Sequence, residues 1–168
     1  MENNILLEKD TFIRTTYRLT HEIMERHADL SSLLLVGILK KGYELAKLLQ
    51  DNLRLFTAIE CPVYPLEIRP FRDDEKKDVS PTVTPIPVQG KTIVLVDDVL
   101  FTGRTVRAAI DGLMSMGRPS SIELAVLIDR GHRQLPIRPD YVGKNVPTSL
   151  NESIRISFET LTIQLIKP

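Results

Sequence analysis

A single cysteine, Cys61, cannot close an internal disulfide, so packing has to hold this chain together, and the thiol reads as a small packing residue. Nor is there an excess of either charge: Lys plus Arg and Asp plus Glu are 22 each. That balance excludes a protein-wide field for nucleic acid and leaves only local patches. An N-terminal signal pattern, an apolar run of membrane-spanning length, internal repeats and low-complexity tracts are all missing, and the expectation is a soluble cytoplasmic protein. Its 168 residues suit one domain, 1–168, with enough length to bury a core.

What is present alternates between strand and helix. Asp10 is placed to cap a helix over roughly 11–28. LLLVGI (33–38) reads as a buried strand, and Leu45, Leu48, Leu49 and Leu53 give the next segment a helical face. Residues 60–71 alternate weakly and contain Pro62, Pro65 and Pro70, which suits an edge strand. TIVLVD (92–97) and IELAVLI (122–128) are further buried strands. Between them Val106, Ala109, Ile110, Leu113 and Met114 form a helical stripe. Continuous apolar strands joined through helices predict an α/β fold with a mostly parallel sheet covered on both faces. The charged and proline-containing stretch 72–90 reads as a mobile flap, and 129–149 as a small irregular cap. IRISFE and LTIQLI return to strand-like patterning.

The segment TIVLVDDVLFTGRT (92–105) runs from an apolar strand into two carboxylates and then into small, hydroxylated residues. In an open parallel sheet ligands bind beyond the carboxyl ends of the strands, which puts Asp97 and Asp98 at a crevice, facing solvent or ligand. Thr102, Gly103, Arg104 and Thr105 then lead into a helix whose N-terminal amides suit a phosphate. Each charge-assisted hydrogen bond there contributes roughly 1.5–3 kcal/mol. Carboxylates for ribose hydroxyls beside donors for a 5′-phosphate point to a ribose phosphate.

VLVDDVLFTGRT also resembles the phosphoribosyl diphosphate (PRPP) motif of the type I phosphoribosyltransferases. Together with 117–149, PFRDD (70–74) and IRTTYRLTHEIMER (13–26), the chain is similar to the PyrR family, pyrimidine operon regulators that also act as uracil phosphoribosyltransferases. The resemblance implies the type I phosphoribosyltransferase fold with a hood and a flexible flap. It implies conversion of uracil and PRPP to UMP and pyrophosphate, with Mg²⁺ carried in by PRPP, and a homodimer or higher homo-oligomer. Asp97 and Asp98 would hold the ribose, and Thr102–Thr105 the 5′-phosphate.

The turn Leu39–Gly42 (LKKG) lies after a strand, where Lys40, Lys41 and Gly42 are placed to cradle pyrophosphate. Relatives of this family usually have Thr-Arg-Gly here, and LKKG looks instead like the LKGG loop of purine phosphoribosyltransferases, which makes a purine base the alternative. Purine enzymes, however, place an aspartate where this chain has Phe101, and a phenyl ring exchanges no proton, which favours uracil. Tyr141 would stack on the base and the Val142 backbone would read its edge, simple packing being the other reading of Tyr141. Arg72 would close over PRPP, and Asp129 would contact its Mg²⁺ side.

For the family's leader mRNA, Arg14, Arg18 and His21 share a helical face, with Arg26 further along. Arg133, Arg138 and Lys144 would supply the rest of the basic surface. An ordinary solvated face in which Arg14 and Arg18 pair with Glu22 and Glu25 is the competing reading. A non-catalytic RNA-binding regulator is the alternative to an enzyme.

Overall fold

Alternation along three apolar strands divides the core in two. The computed structural model describes residues 3–73 and 83–168. The strands are β2 (Leu33–Ile38), β4 (Thr92–Leu100) and β5 (Ser121–Asp129). Leu33, Leu35, Val94, Val96, Ala125 and Leu127 enter one cluster, while Leu34, Val36, Ile93, Leu95, Leu124 and Val126 enter the other. Both faces are buried, so the strands read as unbroken apolar runs. Each fully buried aliphatic side chain contributes roughly 1.5–3 kcal/mol.

The elements follow the chain as β1 (Asn3–Leu7), α1 (Lys9–Arg26), β2, α2 (Lys41–Thr57), β3 (Val63–Leu66), a 3-10 turn (Arg69–Phe71), β4, α3 (Arg104–Ser115), β5, β6 (Tyr141–Asn145), β7 (Ser153–Ser157) and β8 (Thr162–Ile166). Five strands form a wholly parallel sheet in the order β3-β2-β4-β5-β6. Helices α1 and α2 cover the first face. Helix α3 covers the second, with Ile86 and Val88 buried beside it. Strand β3, with Pro65 in it, lies at the sheet's edge.

Four sequence expectations change. Asp10 does not cap α1: Glu8 occupies that position with no side-chain bond, and Asp10 sits in the first turn, where its charge favours the helix dipole. Met114 is 55% exposed and so lies off the buried stripe of α3, which Val106, Ala109 and Leu113 form with Ala108 and Gly112. Of the 72–90 stretch, 74–82 lie outside the described residues, and Ile86 and Val88 are core, not flap. Segment 129–149 is not a separate cap, because 141–145 extends the main sheet as β6. The polar sequence YVGKN hides this strand. Parallel pairing to β5 and cover from α1 stabilise it, with Arg18 donating to the carbonyls of Val142 and Gly143. The hood is instead a three-stranded antiparallel sheet, β1-β8-β7, built from the two ends of the described chain.

Candidate active site

Strand β4 does not stop at its carboxylates. It pairs with β5 from Thr92↔Ser121 through Asp97↔Val126 to Leu100↔Asp129. Asp97 is only 7% exposed and faces the crevice, not open solvent, whereas Asp98 is half-buried. The Asp98 amide donates to Asp97 Oδ1 at 2.9 Å. Burial, and next the charge of Asp98, hold the Asp97 carboxyl well above the ordinary carboxylate range.

The turn after β4 is shaped by what binds its carbonyls. The Arg130 amide donates to Leu100 O (3.0 Å), Arg133 Nη1 to Phe101 O (2.7 Å), and the Gln134 amide to Thr102 O (2.9 Å). With its carbonyls occupied by the 130–135 loop, the turn leaves its amides at the start of α3. Gly103, at φ 94°, is the left-handed residue that begins this helix. The first intrahelical bond is Arg107 N to Gly103 O, so the amides before it have no intrahelical partner and suit an anion. The Arg104 amide already donates to Thr102 Oγ1 at 3.3 Å, and its side chain points elsewhere, to Gln134 (2.8 Å) and Asp73 (3.0 Å).

A cavity of about 290 Å³ follows this turn, lined by Asp97, Phe101, Thr102–Thr105 and Arg72. A second, of about 420 Å³, shares Asp97, Thr105 and Arg72 and reaches Asp98, Lys40 and Lys41. Arg72 Nη1 donates to Thr105 Oγ1 at 3.3 Å where the two meet. The crevice thus runs from a helix N-terminus past two carboxylates to a lysine turn, large enough for a phosphorylated sugar with a second anionic group.

The two lysines are not equivalent. Lys41 Nζ donates to Ile156 O of β7 at 2.8 Å and ties α2 to the hood. Lys40, exposed after a cis Leu39–Lys40 peptide, lines the crevice. Gly42 acts by closeness: a Cβ there would lie 2.5 Å from Val96 O and 3.1 Å from Asp97 Cα.

Other expected site residues stand elsewhere. Tyr141 is 3% exposed, opposite Ala125 near the amino end of β6, and its hydroxyl donates to Glu123 at 2.7 Å. It has no open face for a base, and the Val142 carbonyl is taken by Arg18. The carboxyl end of β6 is Lys144–Asn145, opposite Ile128–Asp129, so the parallel register moves any base contact beyond residue 143. Asp129 accepts at both oxygens, from Arg133 and from the Gly131 amide, which fixes its carboxylate against the 130–133 loop. Among the described residues no group of three His, Cys, Asp or Glu could hold a metal. Cys61 donates to Leu33 O at 3.2 Å, and burial pushes its thiol to about 11, so it is no nucleophile.

Of the basic residues, Arg14, Arg18, His21 and Arg26 are exposed on α1, and Arg138 and Lys144 are exposed too. Arg18 also pairs with Glu22 (2.8 Å), Arg26 with Glu123 (3.1 Å) and Asp140 (3.2 Å), and His21 stacks on Phe56 at 4.4 Å. The bond from Arg18 to Gly143 places α1 beside Lys144. Arg133 is half-buried and donates to Phe101 O, Ile137 O and Asp129, which turns its guanidinium toward the turn after β4. Arg130, His132 and Thr148 lie in the 117–149 stretch that carries the family resemblance, but no periodicity singles them out as partners.

Residues 3–159 match the phosphoribosyl transferase domain. The chain is 50% identical over 156 residues to the bifunctional protein PyrR of Streptococcus agalactiae, spanning 93% of this chain and 90% of that one. It is 49% identical over 154 residues to the pyrimidine operon regulatory protein of Lactococcus lactis subsp. lactis, spanning 92% and 89%. Among solved structures it is similar to the hypoxanthine phosphoribosyltransferase of Trypanosoma cruzi, with TM-score 0.77, 18% identity and coverage of 98% and 97%. A hypoxanthine phosphoribosyltransferase from Staphylococcus aureus gives TM-score 0.77 at 19% identity, covering 98% and 93%. At such identity the structures show a shared fold.

Proposed function

We propose, from the premise that this chain belongs to the phosphoribosyl transferase domain family and within it to the PyrR proteins, that it makes UMP and pyrophosphate from uracil and PRPP and regulates pyrimidine genes through their leader mRNA. The observation that carries the enzyme reading is the single crevice joining the amides of Thr102–Thr105 to Asp97, Asp98 and Lys40. In this reading the turn binds the 5′-phosphate, the carboxylates accept from the ribose hydroxyls, and Lys40 takes the pyrophosphate. Arg72 screens the reacting carbon from water. As N1 of uracil bonds to the ribose carbon, the bond to pyrophosphate breaks and the N1 proton passes to the leaving pyrophosphate or to water; positive charge grows on the sugar, and the neighbouring carboxylates favour it. The thin donor set suits Mg²⁺ held chiefly by PRPP oxygens, with Asp97 and Asp98 nearby, and the ion would neutralise the leaving pyrophosphate.

Phe101 stands in the crevice where purine enzymes place an aspartate, and it cannot exchange a proton with a purine's ring nitrogen, so uracil should exceed hypoxanthine and guanine in kcat/KM by about 100-fold or more. A panel of bases with PRPP and Mg²⁺ measures this, and a purine preference would remove the uracil reading. Turnover of no base, with UMP and RNA still bound, would mark a non-catalytic regulator.

The lysine turn gives a sharper expectation. Lys40→Ala should raise KM for PRPP about tenfold or more, since one charge-assisted bond is lost. Lys41→Ala should chiefly lower Tm, because it frees the hood contact at Ile156.

For RNA, the exposed set Arg14, Arg18, Arg138 and Lys144 is the surface, with Arg133 left to the site. Affinity for a pyrimidine leader RNA should fall steeply with salt, and Arg18→Gln with Arg138→Gln should flatten the logarithmic slope by about one per lost phosphate contact. Gel-shift titrations across salt concentrations read the slope, and indifference to both substitutions would remove this surface. We place the protein in the cytoplasm as a single-domain homo-oligomer.

A further inference from the structure

The transfer step described above makes no use of Arg130. It is 9% exposed, directly after β5, and three of its five N–H donors are engaged: Nε donates to Thr148 Oγ1 (2.8 Å), and Nη2 to the carbonyls of Ser149 (3.0 Å) and Glu152 (2.7 Å). Neutral oxygens take these bonds, so the cation is not there to complete a close ion pair. Removing a guanidinium from water is costly, and burial lowers its pKa. What the group adds over a neutral donor is a flat cationic face, and Phe101 covers it with its ring centre 4.1 Å from Cζ.

Phe101 is held at three other points. Its ring meets His132 edge to face at 5.6 Å and 72°, its carbonyl accepts from Arg133 Nη1, and the next carbonyl accepts from Gln134. The ring therefore cannot swing out of the loop without losing the stack. It forms an apolar wall of the cavity that also contains Asp97 and the turn before α3. Arg130 at the same time fixes 148–152, the segment that follows the carboxyl end of β6.

We infer that Arg130 is a positioning residue for base specificity: by stacking on Phe101 and clamping 148–152 it fixes the base end of the site at the size of a single pyrimidine ring. The inference rests on the uracil reading. A two-ring base requires the Phe101 wall to move, and the stack opposes that movement.

The test uses the full chain with PRPP and Mg²⁺, measuring uracil and hypoxanthine kinetics for wild type, Arg130→Met, Phe101→Leu and the double variant. Each single change should raise KM for uracil about tenfold and narrow the uracil-to-hypoxanthine ratio about tenfold, with KM for PRPP within about twofold. The double variant should be no worse than the worse single one, because both remove the same contact. Arg130→Lys keeps a cation near the ring without the fork and should fall between wild type and Met, so the inference stays testable if the Met variant does not fold. An unchanged uracil KM and base ratio in a folded Met or Lys variant would overturn it. So would penalties that multiply in the double variant, or a PRPP KM that rises with that of uracil. A wild type that prefers hypoxanthine removes the uracil reading and this inference together. A wild type that prefers uracil with unaffected variants removes this inference alone.

Discussion

Replacing Asp97 and Asp98 together by asparagine lowers kcat/KM for UMP formation by about 10³-fold or more, about 4 kcal/mol of transition-state stabilisation, while the fold survives and melts no lower. The two effects have one cause. Asp97 is buried beside Asp98, so in the folded protein its carboxyl gives up a proton far less readily than the ordinary 3.8. Above that ordinary value the unfolded chain releases the proton and the folded chain keeps it. Stability therefore declines as pH rises from the ordinary carboxylate range through the raised folded value, and levels off above it. Asparagine keeps the Oδ1 acceptor used by the Asp98 amide and has no proton to lose. The Asp97→Asn single variant should accordingly show a flatter stability profile over that window and a Tm higher by about 2–4 °C for each kcal/mol regained. Calorimetry across pH, beside steady-state kinetics, measures both halves. Undiminished turnover in the double variant would remove these residues from the chemistry, and a steeper loss of stability with rising pH would contradict the buried-carboxyl account.

Gly42→Ala should damage both stability and catalysis. The added Cβ would meet Val96 O at 2.5 Å and Asp97 Cα at 3.1 Å, both backbone atoms that cannot rotate aside. Helix α2 must then back away from β4, at an expected cost of about 1–3 kcal/mol for an overpacked contact. Because α2 carries the Lys40 turn at its start, that displacement also separates the pyrophosphate end of the crevice from Asp97. Misplacement by about 1 Å is enough for a loss near 100-fold in kcat/KM. Thermal melting and PRPP kinetics on the one variant check the pair of effects. A variant that melts like wild type and turns over normally would show that the helix does not need this approach.

The phosphate turn and the main strands were legible in the sequence because their causes are local. A run such as LLLVGI or IELAVLI is buried on both faces wherever it lies in a parallel sheet, and DDVLFTGRT forms a strand end, a turn and a helix start whose geometry neighbouring residues set. Arg72, Lys40 and the two aspartates were read from such stretches, and the structure brings them to one crevice. Strand β6 was not legible, since YVGKN is short and polar and becomes a strand only by pairing with β5.

Long-range partners decided the rest. Lys40 and Lys41 are identical in sequence, yet Lys41 is consumed by a carbonyl 115 positions away, which leaves Lys40 for a ligand. Arg133 belongs to the Phe101 turn and not to the basic surface because Asp129 and the Phe101 carbonyl lie within its reach. Tyr141 was a plausible stacking residue until the parallel register put it at the amino end of β6, against Glu123. The sequence by itself determined the α/β class, the phosphate turn and its carboxylates, where a few adjacent residues carry the whole cause. Only the tertiary structure decided which cations remain available, how deeply Asp97 is buried and what holds Phe101, because a side chain's charge, access and orientation depend on distant groups that desolvate or bind it.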